Sequence, residues 1–173
     1  MMADLESIRN RVEESGLQTL DLDQLLPNPQ VLRQMDIADY LEGGLVLREK
    51  PFREALNALN SSDWQNTEVA LFCSSEAIIP DWAWMLATGK LMECGAQVHI
   101  TGPSQLPSLL LIKAVNEIPL ADYTNSKLVI KGCSKGTNAQ ALSAAIQRLQ
   151  PVVQSIFYGE PCSTVPIYKR PKS

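Results

Sequence analysis

Short apolar runs rich in β-branched and aromatic residues recur along the chain and predict β-strands. Each run is four to six residues long and is followed by glycine, proline, cysteine or charged residues. The predicted strands are residues 45–48, 67–72, 97–101, 127–131 and 154–158.

Amphipathic segments lie between these runs and predict helices near residues 50–59, 81–94, 105–116 and 138–149. In the last of them, apolar residues recur at helical spacing, so one face of the helix is expected to be buried. A similar pattern in Leu5, Ile8 and Val12 predicts a first helix over residues 4–14.

The alternation of strands and helices is typical of an α/β fold whose strands lie parallel, with helical crossovers covering both faces of the sheet. We expect a three-layer sandwich with a mostly parallel sheet of about five strands. Residues 1–173 are expected to form a single α/β domain. It would have an irregular N-terminal preface (17–44) and a Pro-rich C-terminal tail (159–173).

Composition and charge indicate a globular domain and disfavour some classes of partner. The chain has 173 residues, a formal charge of −4 and 45% hydrophobic residues, which is ordinary for a soluble globular domain. A negative charge disfavours nucleic acid and anionic membranes as partners, since both attract basic surfaces. The acidic start Met2–Arg9 does not resemble a secretory signal, so a cytoplasmic location with reduced cysteines is expected.

Three of the four cysteines are each followed by serine, and each of these pairs comes just after a predicted strand. They are Cys73, Cys133 and Cys162. Because parallel strands end at the same edge of a sheet, where ligands commonly bind, these thiols are expected to converge there. Cys94 ends a helix that runs back from this edge, and a buried packing role is expected for it.

Cys73 and Cys133 also precede predicted helices, whose N-termini favour the thiolate form. Three thiolates suit zinc or another thiophilic metal. His99, Glu160, Glu76 or water would be the fourth ligand, although a hydrogen-bonded structural role is favoured for His99. The separations of 60 and 29 residues match no local zinc module, and an iron–sulfur cluster fits less well because its cysteines are usually clustered.

Two other classes of function stay open. The chain is a thiol-dependent redox or transfer enzyme if Cys73 or Cys162 is a low-pKa nucleophile with His99 or Glu160 as its partner. It is a structural or assembly protein if the cysteines only pack. The Pro-rich tail is also compatible with docking on a sister subunit in a homodimer.

Several longer motifs resemble the bacterial domain-of-unknown-function family 2480. They are Leu45–Lys50 with Phe52–Glu54, Cys73–Ala83, Lys131–Ser134 and Gly159–Arg170. The resemblance implies no activity, because the family is uncharacterised. It implies that the three Cys-Ser pairs belong to the family's pattern. It also implies a link to iron–sulfur assembly, with iron–sulfur assembly proteins as expected partners.

Overall fold

The computed structural model describes residues 17–132, 136–160 and 163–171. The chain divides into two compact units. The flanking unit comprises Met1–Leu26 and Leu111–Ser173, and the central unit comprises Pro27–Leu110. The prediction of a single domain stays a prediction.

The flanking unit contains a four-stranded sheet with the order β1-β7-β8-β9. Its strands are β1 (Leu17–Asp21), β7 (Lys127–Lys131), β8 (Ser155–Glu160) and β9 (Ser163–Lys169). β1, β7 and β8 are parallel, and β9 is antiparallel to β8. This sheet is therefore mostly parallel, as the sequence predicts.

The helix α4 (Ala139–Leu149) covers this sheet. Asn138 caps its N-terminus, because the side-chain oxygen accepts hydrogen bonds from the backbone N–H groups of Gln140 and Ala141. Ala141, Ala145 and Leu149 recur at four-residue spacing and are fully buried. They pack in one apolar cluster with residues of β7 and β8.

The central unit contains a parallel sheet with the order β2-β5-β6 and a two-stranded hairpin, β3-β4. The strands are β2 (Leu32–Asp36), β3 (Leu41–Glu42), β4 (Val46–Leu47), β5 (Glu68–Phe72) and β6 (Gln97–Ile100). The helices are α1 (Glu49–Asn57) and α2 (Asp81–Glu93). The helix α3 (Leu106–Glu117) begins in this unit and ends in the flanking unit.

Both faces of β5 are buried, which explains its continuous apolar run. Val69 and Leu71 pack with α1 and α2 on one face. Ala70, on the other face, packs with Leu106 and Leu110 of α3. The strand is therefore covered on both sides, as an uninterrupted apolar strand requires.

The structure shows a mixed α/β protein, whereas the three-layer sandwich and the count of five strands are not confirmed. Residues 45–48 do not add a strand to either of the two larger sheets, because Val46–Leu47 pairs with Leu41–Glu42 in the hairpin. Part of the tail forms β9, an edge strand in which a register shift lies between Pro166 and Tyr168. An edge position tolerates proline because the missing N–H would face away from the sheet.

The N-terminal preface (17–44) contains β1 and β2, which share one pattern of sequence and burial. Their sequences, LQTLD and LRQMD, have the same succession of burial states. Each strand ends in an aspartate that caps a 3₁₀ turn, Leu22–Leu25 or Ile37–Tyr40. Each also pairs in parallel with a strand of the same length, which in turn pairs with a third strand. The two units therefore repeat one strand arrangement.

Candidate functional site

Cys73 follows the last residue of β5 and is partly buried. Its sulfur lies 3.4 Å from the Ser75 hydroxyl oxygen and 3.7 Å from the Ser75 carbonyl oxygen. The side chain also packs against the apolar cluster that contains Val69 and Leu71. The position of the Cys73 side chain is thus set both by apolar packing and by its contacts with Ser75 in the loop that follows β5.

His99 lies on β6, where it pairs in register with Ala70 of β5. Its Nε2 atom lies 2.6 Å from Oε2 of Glu68, and the two side chains are 15% and 21% exposed. Glu68, Ala70 and His99 share one face of the sheet, whereas Cys73 packs with the residues of the opposite face. The structure therefore does not bring His99 and Cys73 together.

The residues that follow β7 and β8 include two predicted ligands. Cys133 and Cys162 lie outside the described residues, and so their predicted roles stay predictions. Glu160 is the exposed last residue of β8. Within the described ranges, no group of three or more histidine, cysteine, aspartate or glutamate residues is arranged to hold a metal ion. The three-cysteine zinc site therefore has no support from these residues.

The structure describes the residues on both sides of segment 133–135, and they show where the strands before Cys133 and Cys162 end. β7 and β8 are parallel neighbours with Ile130 opposite Tyr158, so both strands end at the same edge of the sheet. β7 is followed by Gly132, and β8 ends at Glu160. Cys133 comes directly after the first of these residues in sequence, and Cys162 comes two residues after the second.

Gly132 is closely surrounded, and its backbone has a φ of +154°. A Cβ atom at this position would lie 3.1 Å from Cβ of Leu22 and from Oγ1 of Thr137, and 3.3 Å from Oδ1 of Asp23. At Gly136 a Cβ atom would lie 2.5 Å from Cδ2 of Leu26. The 3₁₀ turn after β1 therefore packs against the residues on either side of segment 133–135.

Two hydrogen bonds strengthen this contact. The Thr137 hydroxyl donates to Oδ1 of Asp23 at 2.9 Å, joining residues 114 positions apart. The Tyr158 hydroxyl donates to the carbonyl oxygen of Gly132 at 3.1 Å. Gly132 and Thr137, on the two sides of the segment, are thus held by hydrogen bonds from β8 and from the turn after β1.

The same edge carries a concentration of charge. Lys131 lies 3.2 Å from a carboxylate oxygen of Asp21. The hydrogen bond to Asp21 raises the pKa of Lys131 above its ordinary value, and the negative charges of Asp21, Glu160 and Asp23 act in the same direction. Lys131 therefore lies in negatively charged surroundings, which favour its protonated form.

An apolar cavity of about 190 Å³ lies beside this edge. It is lined by side chains of β7, β8, β9 and α4, namely Ile130, Leu142, Ile146, Ile156, Tyr158 and Ile167. The ring of Tyr158 lines the cavity while its hydroxyl holds Gly132. Tyr158 thus joins the apolar cluster of the flanking unit to the backbone that precedes Cys133.

Cys94 is partly exposed rather than buried, and the Ser61 hydroxyl donates to its sulfur at 3.5 Å. It is the C-terminal cap residue of α2, so it reaches solvent at the helix end. The prediction that Cys94 is buried was therefore wrong.

The aspartates that end β1 and β2, and Asp23 after β1, were not among the site residues predicted from the sequence. Asp36 in the central unit accepts hydrogen bonds from the backbone N–H groups of Ala38 and Ser74, so it holds the residue after Cys73. Asp21 and Asp23 contact the corresponding region of the flanking unit. The signal was present as the pattern LQTLD repeated as LRQMD fifteen positions later.

Among the described residues, no helix has the length and apolar character needed to cross a membrane. No curated protein and no solved structure matches the chain. The sequence model of one family, described as Protein of unknown function (DUF2480), matches residues 6–170 of the 173. The family resemblance is confirmed, and the chain belongs to the DUF2480 family.

Proposed function

We propose that the protein binds zinc or another thiophilic metal through Cys133 and Cys162, with Glu160 as an oxygen ligand. The observation that carries the proposal is the parallel pairing of β7 with β8. Cys133 and Cys162 follow the adjacent ends of these strands within a few residues. A role in metal or iron–sulfur handling would follow from such a site.

The chemistry of the available donors suits this metal. Zinc accepts cysteine sulfur and carboxylate oxygen together in tetrahedral sites. Asp21, Asp23 and Glu160 make the surroundings negative, which favours a divalent cation. The contacts of Gly132 with Leu22 and Tyr158 supply the support that a precise ligand geometry needs.

Cys73 and His99 are omitted from the proposed ligand set. They lie on opposite faces of the β2-β5-β6 sheet. The bond between His99 and Glu68 also occupies one imidazole nitrogen. Their participation stays a prediction that the same experiment tests.

The experiment is elemental analysis of untagged protein purified under reducing conditions. We expect about one metal ion per chain, as a single site requires. Cys133→Ser and Cys162→Ser should lose the metal, while Cys94→Ser, which changes a thiol at the end of α2, should retain it. Cys73→Ser tests the three-cysteine prediction, because loss of metal in this variant would add Cys73 to the site.

Two outcomes overturn the proposal. A folded wild-type protein without metal after expression in zinc-supplemented medium would do so. Retention of the full metal content by a Cys133→Ser/Cys162→Ser double variant would do so as well. Measuring the rate of thiol alkylation against pH on the metal-free protein then identifies a low-pKa nucleophile, the signature of a thiol enzyme.

A further inference from the structure

We propose that residues 4–14 of this chain pack as a helix on the back face of the sheet of the flanking unit. The back face is the side of that sheet that carries Leu17, Thr19, Val129, Phe157 and Pro166. This docking surface is distinct from the proposed metal site, and the argument for it does not rest on metal binding.

The helices α3 and α4 pack on the opposite, front face of this sheet. The front face carries Leu128, Ile130 and Ile156, which are buried in one apolar cluster with α4 and the C-terminal part of α3. Since successive side chains of a strand point to opposite faces, the residues that alternate with these three belong to the back face.

The back face contains a fully buried apolar residue. Val129 is 1% exposed, and Phe157 beside it on β8 and Leu17 on β1 are partly buried. The apolar clusters formed by the described residues contain none of these three. Parallel strands are normally covered on both faces. A further apolar element is therefore expected on the back face.

The first helix predicted from the sequence, residues 4–14, is a suitable element and lies outside the described residues. Its apolar stripe, Leu5, Ile8 and Val12, needs an apolar partner. Only two residues separate it from Leu17, where the edge strand β1 begins. A helix that turns back from this edge lies over β7 and β8, and α3 and α4 already occupy the front face.

The length of the segment matches the width of the sheet. Residues 4–14 form a helix of about 16 Å, at about 1.5 Å per residue. Four strands spaced at about 4.8 Å extend over about 14 Å. Val12 would then lie close to β1, and Leu5 would lie towards Phe157 on β8.

The charges of the segment and of the back face are complementary. The segment has two arginines and four carboxylates, Asp4, Glu6, Glu13 and Glu14. The back face carries Lys127, Lys131 and Lys169 around its apolar residues, and Lys131 is paired with Asp21. A second copy of the back face would carry the same lysines, so complementarity favours the acidic segment as the occupant.

Nuclear magnetic resonance of the full chain with labelled Ile, Leu and Val methyl groups tests the contact directly. We expect nuclear Overhauser cross peaks between Val129 and at least one of Leu5, Ile8 and Val12. Leu128 is the control, because it is the neighbouring residue on β7 and is buried on the front face. It should show no cross peak to the segment.

A pair of double variants tests the energetic contribution. Leu5→Gln/Ile8→Gln removes the apolar stripe without changing the charge, and should lower the melting temperature by about 5–10 °C and abolish the cross peaks to Val129. Ser7→Gln/Asn10→Gln alters the opposite side of the same helix. This control should change the melting temperature by less than about 2 °C.

Three results overturn the inference. The first is a set of resolved methyl signals in which Val129 contacts no residue of the segment, or contacts another part of the chain in its place. The second is an equal change of melting temperature in the two double variants. The third is a cross peak between differently labelled chains in a mixed sample, which would make the occupant the segment of a second copy.

Discussion

The Tyr158 hydroxyl donates a hydrogen bond to the carbonyl oxygen of Gly132, joining the middle of β8 to the residue that follows β7. The ring of the same tyrosine lines the apolar cavity beside α4. One side chain therefore connects the packing of the flanking unit with the backbone immediately before Cys133. Its contribution is measurable because the ring and the hydroxyl can be altered separately.

Tyr158→Phe keeps the ring and removes the hydrogen bond to Gly132. We expect the free energy of unfolding to fall by about 1 kcal/mol, since a partly buried carbonyl group loses its donor. Urea unfolding measures the change. Tyr40→Phe is the control, because its ring packs edge-on to Phe52 and its hydroxyl makes no hydrogen bond among the described residues. An equal loss in both variants would contradict the role given to Tyr158.

Gly132→Ala should destabilise the protein by about 2–4 kcal/mol, because alanine there meets both a φ of +154° and close neighbours. Gly44→Ala is a matched control, since Gly44 has a φ of +72° but no atom within 4 Å of a Cβ position. That variant should lose only about 1–2 kcal/mol, which is the cost of backbone strain alone. Chemical denaturation of both variants separates crowding from strain, and equal losses would mean that the neighbours of Gly132 move freely.

Leu142→Phe should stabilise the flanking unit by about 0.5–2 kcal/mol, because the larger side chain fills part of the apolar cavity. Leu142→Ala enlarges the cavity and should cost about 2–3 kcal/mol, at the low end for a leucine that is only partly buried. Thermal unfolding of the two variants gives opposite shifts if the cavity is a packing defect. Destabilisation by phenylalanine would show that the cavity walls do not adapt to it.

Asp36 should make folding stability depend on pH in the acid range. Burial raises the pKa of its carboxyl group, but hydrogen bonds from the side chain and backbone of Ser74 and from the backbone of Ala38 outweigh this, and the pKa is lowered from the ordinary value of 3.8. The resulting stabilisation is complete above the unfolded pKa and is lost as the pH falls through the folded pKa.

The test compares Asp36→Asn with wild type. The variant should be less stable than wild type near neutral pH, by about 1 kcal/mol for a weakened turn cap. The difference should shrink as the pH is lowered below about 4. Melting temperatures measured from neutral to acid pH give the two curves, with Asp63→Asn as an exposed control at another 3₁₀ turn. A constant gap between the curves would exclude a contribution from the Asp36 charge.

The sequence by itself determined the elements in which local pattern and burial agree. The helix Ala139–Leu149 and the strands Glu68–Phe72 and Lys127–Lys131 were predicted closely, because the periodicity of their apolar residues matches the faces they bury. The family was also evident, because its motifs are continuous in sequence. Cys73, Cys133 and Cys162 were predicted as site residues because each follows a strand-like run in the sequence.

Tertiary structure alone decided which strands are neighbours. β1 pairs with β7 across more than a hundred residues, and β2 pairs with β5, so the strands divide between two sheets. The pairing also put Cys73 in one unit and Glu160 in the other, and placed His99 against Glu68. The sequence of a five-residue strand such as LQTLD does not indicate which strand it will pair with. Register and neighbour are set by the faces that become buried together, which the apolar pattern of a single strand does not specify.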